Sequence, residues 1–156
     1  MTNLRRIEKG TMQPGVTIAL RLVAATGADV GDFFQNLARN NGLLPLPDAS
    51  GNAGKDSLKN LSMKGIHLPQ EKLLSAKSVF GVFFKEVRQL TKTTQKTVAE
   101  KARYNLRNLL NVESGTQEPG IMTALAMICA TDVDVAEFFE ELYRLQKNVK
   151  SLSDTI

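Results

Sequence analysis

The chain of 156 residues has one cysteine and one histidine, and it holds no apolar run near the about 18 residues that a membrane span requires. Cys129 alone cannot close an internal disulfide, which fits a reducing cytoplasm. The longest apolar stretch, Val79 to Phe84, is much too short to cross a bilayer, so no membrane contact is expected. His67 stands in a stretch without the companions that metal binding requires, so no metal is expected. The N-terminus lacks the basic start, apolar centre and small-residue cleavage site of a signal peptide. Phosphate loop, dinucleotide fingerprint and nucleophile motif are all missing, which argues against an enzyme and against a cofactor. Strand-type alternation is nearly absent too, so the expected fold is all-α.

What is present is ordinary in bulk and unusual in order. Hydrophobic residues make up 42% and charged residues 23%, enough for a buried core in one or two small domains. Twenty lysines and arginines against 16 acidic residues give a net charge of +4, a mild lean toward a polyanionic partner that does not identify one.

The order is a repeat. Shifted by 105 positions without a gap, 17 of the 37 residues from 3 to 39 recur. Asn3-Leu4 matches Asn108-Leu109, Pro14-Gly15 matches Pro119-Gly120, and Asp29-Val30-x-x-Phe33-Phe34 matches Asp134-Val135-x-x-Phe138-Phe139. Such agreement marks one module carried twice. The second copy is preceded by a further helical pair that the first has no room for, so copy one reads as incomplete, with only the last three of five helices.

Texture then divides the chain into 1–41, a truncated module; 42–69, a linker punctuated by Pro45, Pro47, Gly51 and Gly54; 70–149, a complete module; and 150–156, a tail. Within the linker only a short helical turn around Ser57 to Met63 is supportable. The complete module should hold five helices. Phe80, Phe83, Phe84, Val87 and Leu90 form the stripe of the first, which starts as early as Gln70 on this reading. Thr94 caps the second, Gln95 to Ala102, and after a three-residue turn Asn105 caps the third, Leu106 to Glu113, which Gly115 ends. Pro119 falls in the first turn of the fourth, running to about Thr131. Asp134 with Glu137 makes a capping box for the fifth, closed on the core by Phe138, Phe139 and Leu142. The paired phenylalanines of both copies are expected in the core.

A tight turn between two short helices, set between a longer first helix and two packing helices, is the arrangement of a helix-turn-helix. Phe80-Gly81, Arg88, Thr94-Gln95, Val98-Ala99, Glu113-x-Gly115, Pro119, Leu125 and Val135-x-x-Phe138-Phe139 stand in register with it. On these residues, Phe80 to Leu142 resembles the phage-repressor, Cro-like helix-turn-helix family (the XRE family) over about the whole length of such a domain. The resemblance implies a lambda-repressor-like five-helix domain that reads double-stranded DNA with its third helix.

It also implies roles. Gln95 matches the position that holds a phosphate and braces the reading helix, and Leu106, Arg107, Asn108 and Asn111 match the groove-facing positions. Arg107 suits guanine, and Asn108 or Asn111 suits adenine, at about 1 to 3 kcal/mol of discrimination each. Lys92, Lys96, Lys101 and Arg103 supply phosphate attraction beside them, and the cap Asn105 belongs to the same DNA-facing set. From Lys85 to Asn111 seven basic residues face two acidic ones, whereas Asp132, Asp134, Glu137, Glu140 and Glu141 gather around the fifth helix. Arg88 and Glu113 match the family's internal salt bridge, whose loss when buried costs about 3 to 5 kcal/mol. Glu8, the counterpart of Glu113, has no first helix upstream to supply its arginine; either Met1 starts inside a formerly complete domain, or the half-module packs on the second domain or another chain.

Two positions depart from the family pattern. Arg103 stands where a glycine usually takes the left-handed turn, at a strain of about 1 to 2 kcal/mol if that geometry is kept. Leu106 and Leu110 are apolar where the helix should face outward, which suits thymine methyl groups or a protein contact. Other residues read as structure: Cys129 aligns with Ala24 as a small core residue, and Asp29 with Asp32, like Asp134 with Glu137, reads as helix capping rather than as catalytic carboxylates.

The expectation is therefore a cytoplasmic transcriptional regulator, a repressor of phage or mobile-element type, binding DNA as a homodimer through the fifth helix and the segment from Tyr143 to Val149. The competing expectation is a degenerate helix-turn-helix interaction module, of antitoxin or anti-repressor type, that meets another regulator or a toxin through Leu106 and Leu110.

Overall fold

The computed structural model describes residues 14–43, 68–75 and 78–155, together with Arg5, Glu8 and Ile66. Among them are eight helices and no strand: α1 (Val16–Ala25), α2 (Val30–Asn40), α3 (Gln70–Ser75), α4 (Val79–Leu90), α5 (Gln95–Ala102), α6 (Leu106–Glu113), α7 (Ile121–Cys129) and α8 (Val135–Thr155). None is long and apolar enough to cross a membrane. The turn expected around Ser57 to Met63, His67 and most of the 42–69 segment lie outside the described residues.

Short polar side chains start the helices. Asp29 Oδ1 accepts from the Asp32 amide at 2.9 Å, Thr94 Oγ1 from Thr97 at 3.1 Å and Asp134 Oδ1 from Glu137 at 3.2 Å. Each such cap contributes about 1 kcal/mol by satisfying an amide that the helix cannot. Left-handed residues stop them: Gly27, Lys92, Arg103, Gly115 and Asp132 all have φ between 52° and 81°. Gly27 and Asp132 are repeat counterparts, so the same left-handed stop follows α1 and α7.

One core runs through both copies. Phe34, Phe80, Phe83, Phe84, Phe138 and Phe139 are its largest fully buried side chains. Phe138 lies 4.8 Å from Phe83 and 5.8 Å from Phe80, ring centre to ring centre, tying α8 to α4. Burying each such ring contributes about 1.5 to 3 kcal/mol. The half-module packs on the complete one: α2 against α8 is the most extensive helix contact among the described residues, and α1 meets α7. The helix expected to serve a homodimer is thus covered along part of its length by the chain's own α2.

Several expectations are corrected. The first module helix does not run on from Gln70: Ser78, extended at φ −138°, separates α3 from α4. Pro119 precedes the cap of α7, Gly120, rather than sitting in its first turn. Helix α8 continues through 150–155, the expected tail. Leu90 is 48% exposed at the end of α4 instead of closing its stripe. Phe33 is 44% exposed although its counterpart Phe138 is fully buried, because Phe138 has α4 to pack on and no described helix stands in that place over Phe33.

Candidate nucleic-acid interface

Helices α5 and α6 are joined by Arg103, Tyr104 and Asn105. Arg103 takes the left-handed conformation (φ 52°, ψ 46°), and the Tyr104 amide reaches back to the Ala99 carbonyl at 2.9 Å. The turn geometry is kept without a glycine. Gln117 Nε2 donates to the Tyr104 hydroxyl at 3.0 Å, pinning the turn to the loop after α6. Burial pushes the Tyr104 phenol up from its ordinary value, and the bond from Gln117 opposes that shift. Asn105 Oδ1 accepts from the amides of Arg107 (2.8 Å) and Asn108 (3.3 Å), so that oxygen is committed to starting α6.

The far end of α6 is fixed by a buried ion pair. Arg88 donates from Nε to Glu113 Oε2 at 2.8 Å and from Nη2 to Oε1 at 2.9 Å, while Nη1 donates to the Thr93 carbonyl at 2.9 Å. Gln95 Nε2 adds a bond to Glu113 Oε1 at 3.1 Å. With the arginine 8% and the glutamate 4% exposed, this two-pronged pairing holds both charges out of water with their partners in place. It couples α4, the start of α5 and the end of α6. Glu8, the counterpart of Glu113, is by contrast exposed.

A close approach that the sequence pattern did not explain completes the frame. A β-carbon added at Gly81 would stand 1.7 Å from the Val112 carbonyl oxygen, so α4 and α6 touch backbone to backbone there. Gly81 stands there because any side chain would push α6 away from α4.

Held this way, α6 presents two neighbouring rows outward. Leu106 and Leu110, each 44% exposed, form one; Arg107 and Asn111, both exposed, form the other. Residues four apart share a helix face, so the four side chains make one contiguous strip. Asn108 is half-buried beside it. Gln95, also half-buried, keeps one amide hydrogen beyond the bond to Glu113, and Lys96 next to it is exposed. Because Arg88 is neutralised by Glu113, the exposed basic groups from Lys85 to Asn111 are Lys85, Lys92, Lys96, Lys101, Arg103 and Arg107, against Glu86 and Glu100. The accessible surplus there is four.

Negative charge gathers at the other end of the module. Burial first, then the nearby Asp29, Asp134, Asp32 and Glu137, push the Glu140 carboxyl up from its ordinary value. Asp29 and Asp32 come from α2 and its cap, so the half-module adds to the acidity that the sequence places around α8.

Other candidate chemistry is not assembled among the described residues. The Cys129 thiol is half-buried and pushed up to about 12, by burial and then by Asp132, so it is protonated at neutral pH. A cleft of 540 Å³ between α3, α4 and the end of α6 has Lys72, Lys85, Glu86 and Gln89 on its walls. Ser114 is on that wall too, its hydroxyl donating to the Asn111 carbonyl at 2.9 Å. No group of three histidine, cysteine, aspartate or glutamate side chains among the described residues is placed to hold a metal ion. Compared with protein-family models, with curated proteins and with solved structures, the chain matches none.

Proposed function

We propose that the protein is a sequence-specific DNA-binding transcriptional regulator, a repressor of phage or mobile-element type, that reads the major groove with α6. The observation carrying this reading is the exposed strip of Leu106, Arg107, Leu110 and Asn111 on a helix held at both ends by buried or capping groups and bordered by a basic surplus. The major groove is about 12 Å wide and admits one helix. Arg107 donates two hydrogen bonds to guanine O6 and N7, Asn111 or Asn108 bridges adenine N6 and N7, and the two leucines lie on thymine methyl groups. Gln95, Lys96, Lys92, Lys101 and Arg103 hold phosphates and set the register without reading sequence. Asn105, its oxygen already used, has only its amide hydrogens left for DNA. Repression follows from occupancy: a protein seated on a promoter excludes polymerase.

The test is anisotropy titration of wild type and Arg107→Ala against a randomised duplex pool at two salt concentrations, with the retained DNA sequenced. A shared motif, retained less at higher salt and lost in Arg107→Ala, supports the reading. Folded protein that retains nothing at low salt ends it.

A second reading rests on one observation. Leu106 and Leu110 are exposed four residues apart, which also suits an apolar groove on another regulator or a toxin. Such a contact barely responds to salt, whereas displacement of counterions from DNA responds steeply.

A further inference from the structure

In an assembly with a two-fold axis, a residue touches its own counterpart only at that axis. This chain makes three such contacts within itself. Gly15 pairs by an antiparallel backbone bridge with Gly120, its counterpart 105 positions on. The adjoining Pro14 carbonyl accepts from the Ile121 amide at 3.0 Å. Phe34 stacks on Phe139, again its counterpart, with ring centres 4.3 Å apart and planes 23° from parallel. Gly31 abuts Ala136, the third counterpart: a β-carbon added at Gly31 would stand 2.8 Å from the Ala136 carbonyl oxygen. Three self-matching contacts along one seam define an internal pseudo-two-fold axis, with α1 and α2 standing to α7 and α8 as one subunit of a symmetric pair stands to the other.

The seam is built as an interface core. Val16, Leu20, Val30 and Phe34 are buried in the half-module, as are their counterparts Ile121, Leu125, Val135 and Phe139 in the complete one. Glu118 accepts from the Thr17 amide at 2.7 Å and from its hydroxyl, locking the rim. Among the described residues the complete copy alone shows a whole helix-turn-helix, α5 with α6. Of the half-module's counterpart of α6, Arg5 and Glu8 are described, both exposed, and Phe33 stays exposed where Phe138 has α4.

We infer that the half-module is a tethered replacement for a second subunit: it occupies the face of α7 and α8 on which another copy would pair, so the chain is monomeric and takes one asymmetric half-site through α6 instead of an inverted repeat. This rests on the DNA reading for its second half and on the seam alone for its first.

Two measurements on the full chain test the two halves. Light scattering at increasing concentration reads the mass: the expected value stays at 17.1 kDa, and a shift to twice that at micromolar concentration overturns the inference. Titration then compares a duplex holding the selected motif once with one holding it twice, inverted, one helical turn apart. Equal affinity per motif, with one chain on the first duplex and two on the second, is expected. Tighter binding to the inverted pair by about a hundredfold, the gain that linked sites give, overturns the inference. If no motif is retained at all, the DNA reading has failed and the mass still decides the seam. As a further check, Gly31→Leu forces α2 from α8 and is expected to make a folded chain dimerise; a folded variant that stays monomeric at every concentration overturns the claim that α2 covers a pairing face. Should the variant not fold, the wild-type mass and stoichiometry decide alone.

Discussion

Gly81 in α4 meets Val112 in α6 so closely that a β-carbon on the first would stand 1.7 Å from the carbonyl oxygen of the second. The atom in the way is backbone, one residue before Glu113, so no side chain can swing aside to make room. Gly81→Ala is therefore expected to cost about 3 kcal/mol or more by overpacking, at the upper end for such changes. Urea denaturation against wild type checks it, and a loss below about 1 kcal/mol would show that α6 can slide.

Arg103 holds a left-handed turn at φ 52° that glycine adopts without strain. Arg103→Gly should raise stability by about 1 kcal/mol, the strain relieved less the chain entropy that glycine adds. In a DNA titration the same variant should bind more weakly with an unchanged motif, lowering the salt slope by about one counterion. A changed motif would mean that Arg103 reads a base.

Phe33 and Phe138 occupy the same place in the two copies, yet one is 44% exposed and the other fully buried. Phe138→Ala is expected to cost about 3 to 5 kcal/mol, and Phe33→Ala much less than half of that. Thermal denaturation of the two variants side by side decides it; equal losses would mean that Phe33 is covered in solution.

Glu140 is pushed above its ordinary carboxyl value of 4.5 by burial and by carboxylates of both copies, Asp29 and Asp32 on one side and Asp134 and Glu137 on the other. Its protonated form is favoured in the folded chain, so its contribution is complete below pH 4.5 and is lost as pH rises through the elevated value. Glu140→Gln should abolish that loss, leaving the variant more stable than wild type near neutral pH and no more stable in acid. Glu140 is exposed, so the gain should stay within about 0.5 kcal/mol. Melting curves at the two ends of the window measure it, and a variant less stable at neutral pH would contradict the sign.

The spans of α5 and α6 were legible because each is bounded by side chains whose chemistry is local: a threonine and an asparagine that accept from amides two or three residues on, and a glycine that tolerates positive φ. The break between α3 and α4 was not. Its apolar spacing continues through Leu73 and Val79, and nothing in a periodicity tells one helix from two. The exposure of Phe33 depends on whether another helix stands opposite, a fact carried by residues far away in the chain. Likewise, a repeat shows that two segments fold alike without showing that they touch. The signal for contact was present in Gly31, the one place along α2 where the copy needs no side chain, but its meaning required a partner surface. For the strip on α6, sequence named Leu106, Arg107, Leu110 and Asn111 together with the capping Asn105, while the commitment of Gln95 to Glu113 emerged only from distances.

Stacking Phe34 on Phe139 within one chain also makes the pairing of the two copies a unimolecular event. A symmetric dimer dissolves on dilution below its dissociation constant, but a tethered pair sees its partner at a fixed effective concentration. The closed arrangement is thus insensitive to how much protein is present: a single molecule holds its two copies together as firmly as a concentrated solution does.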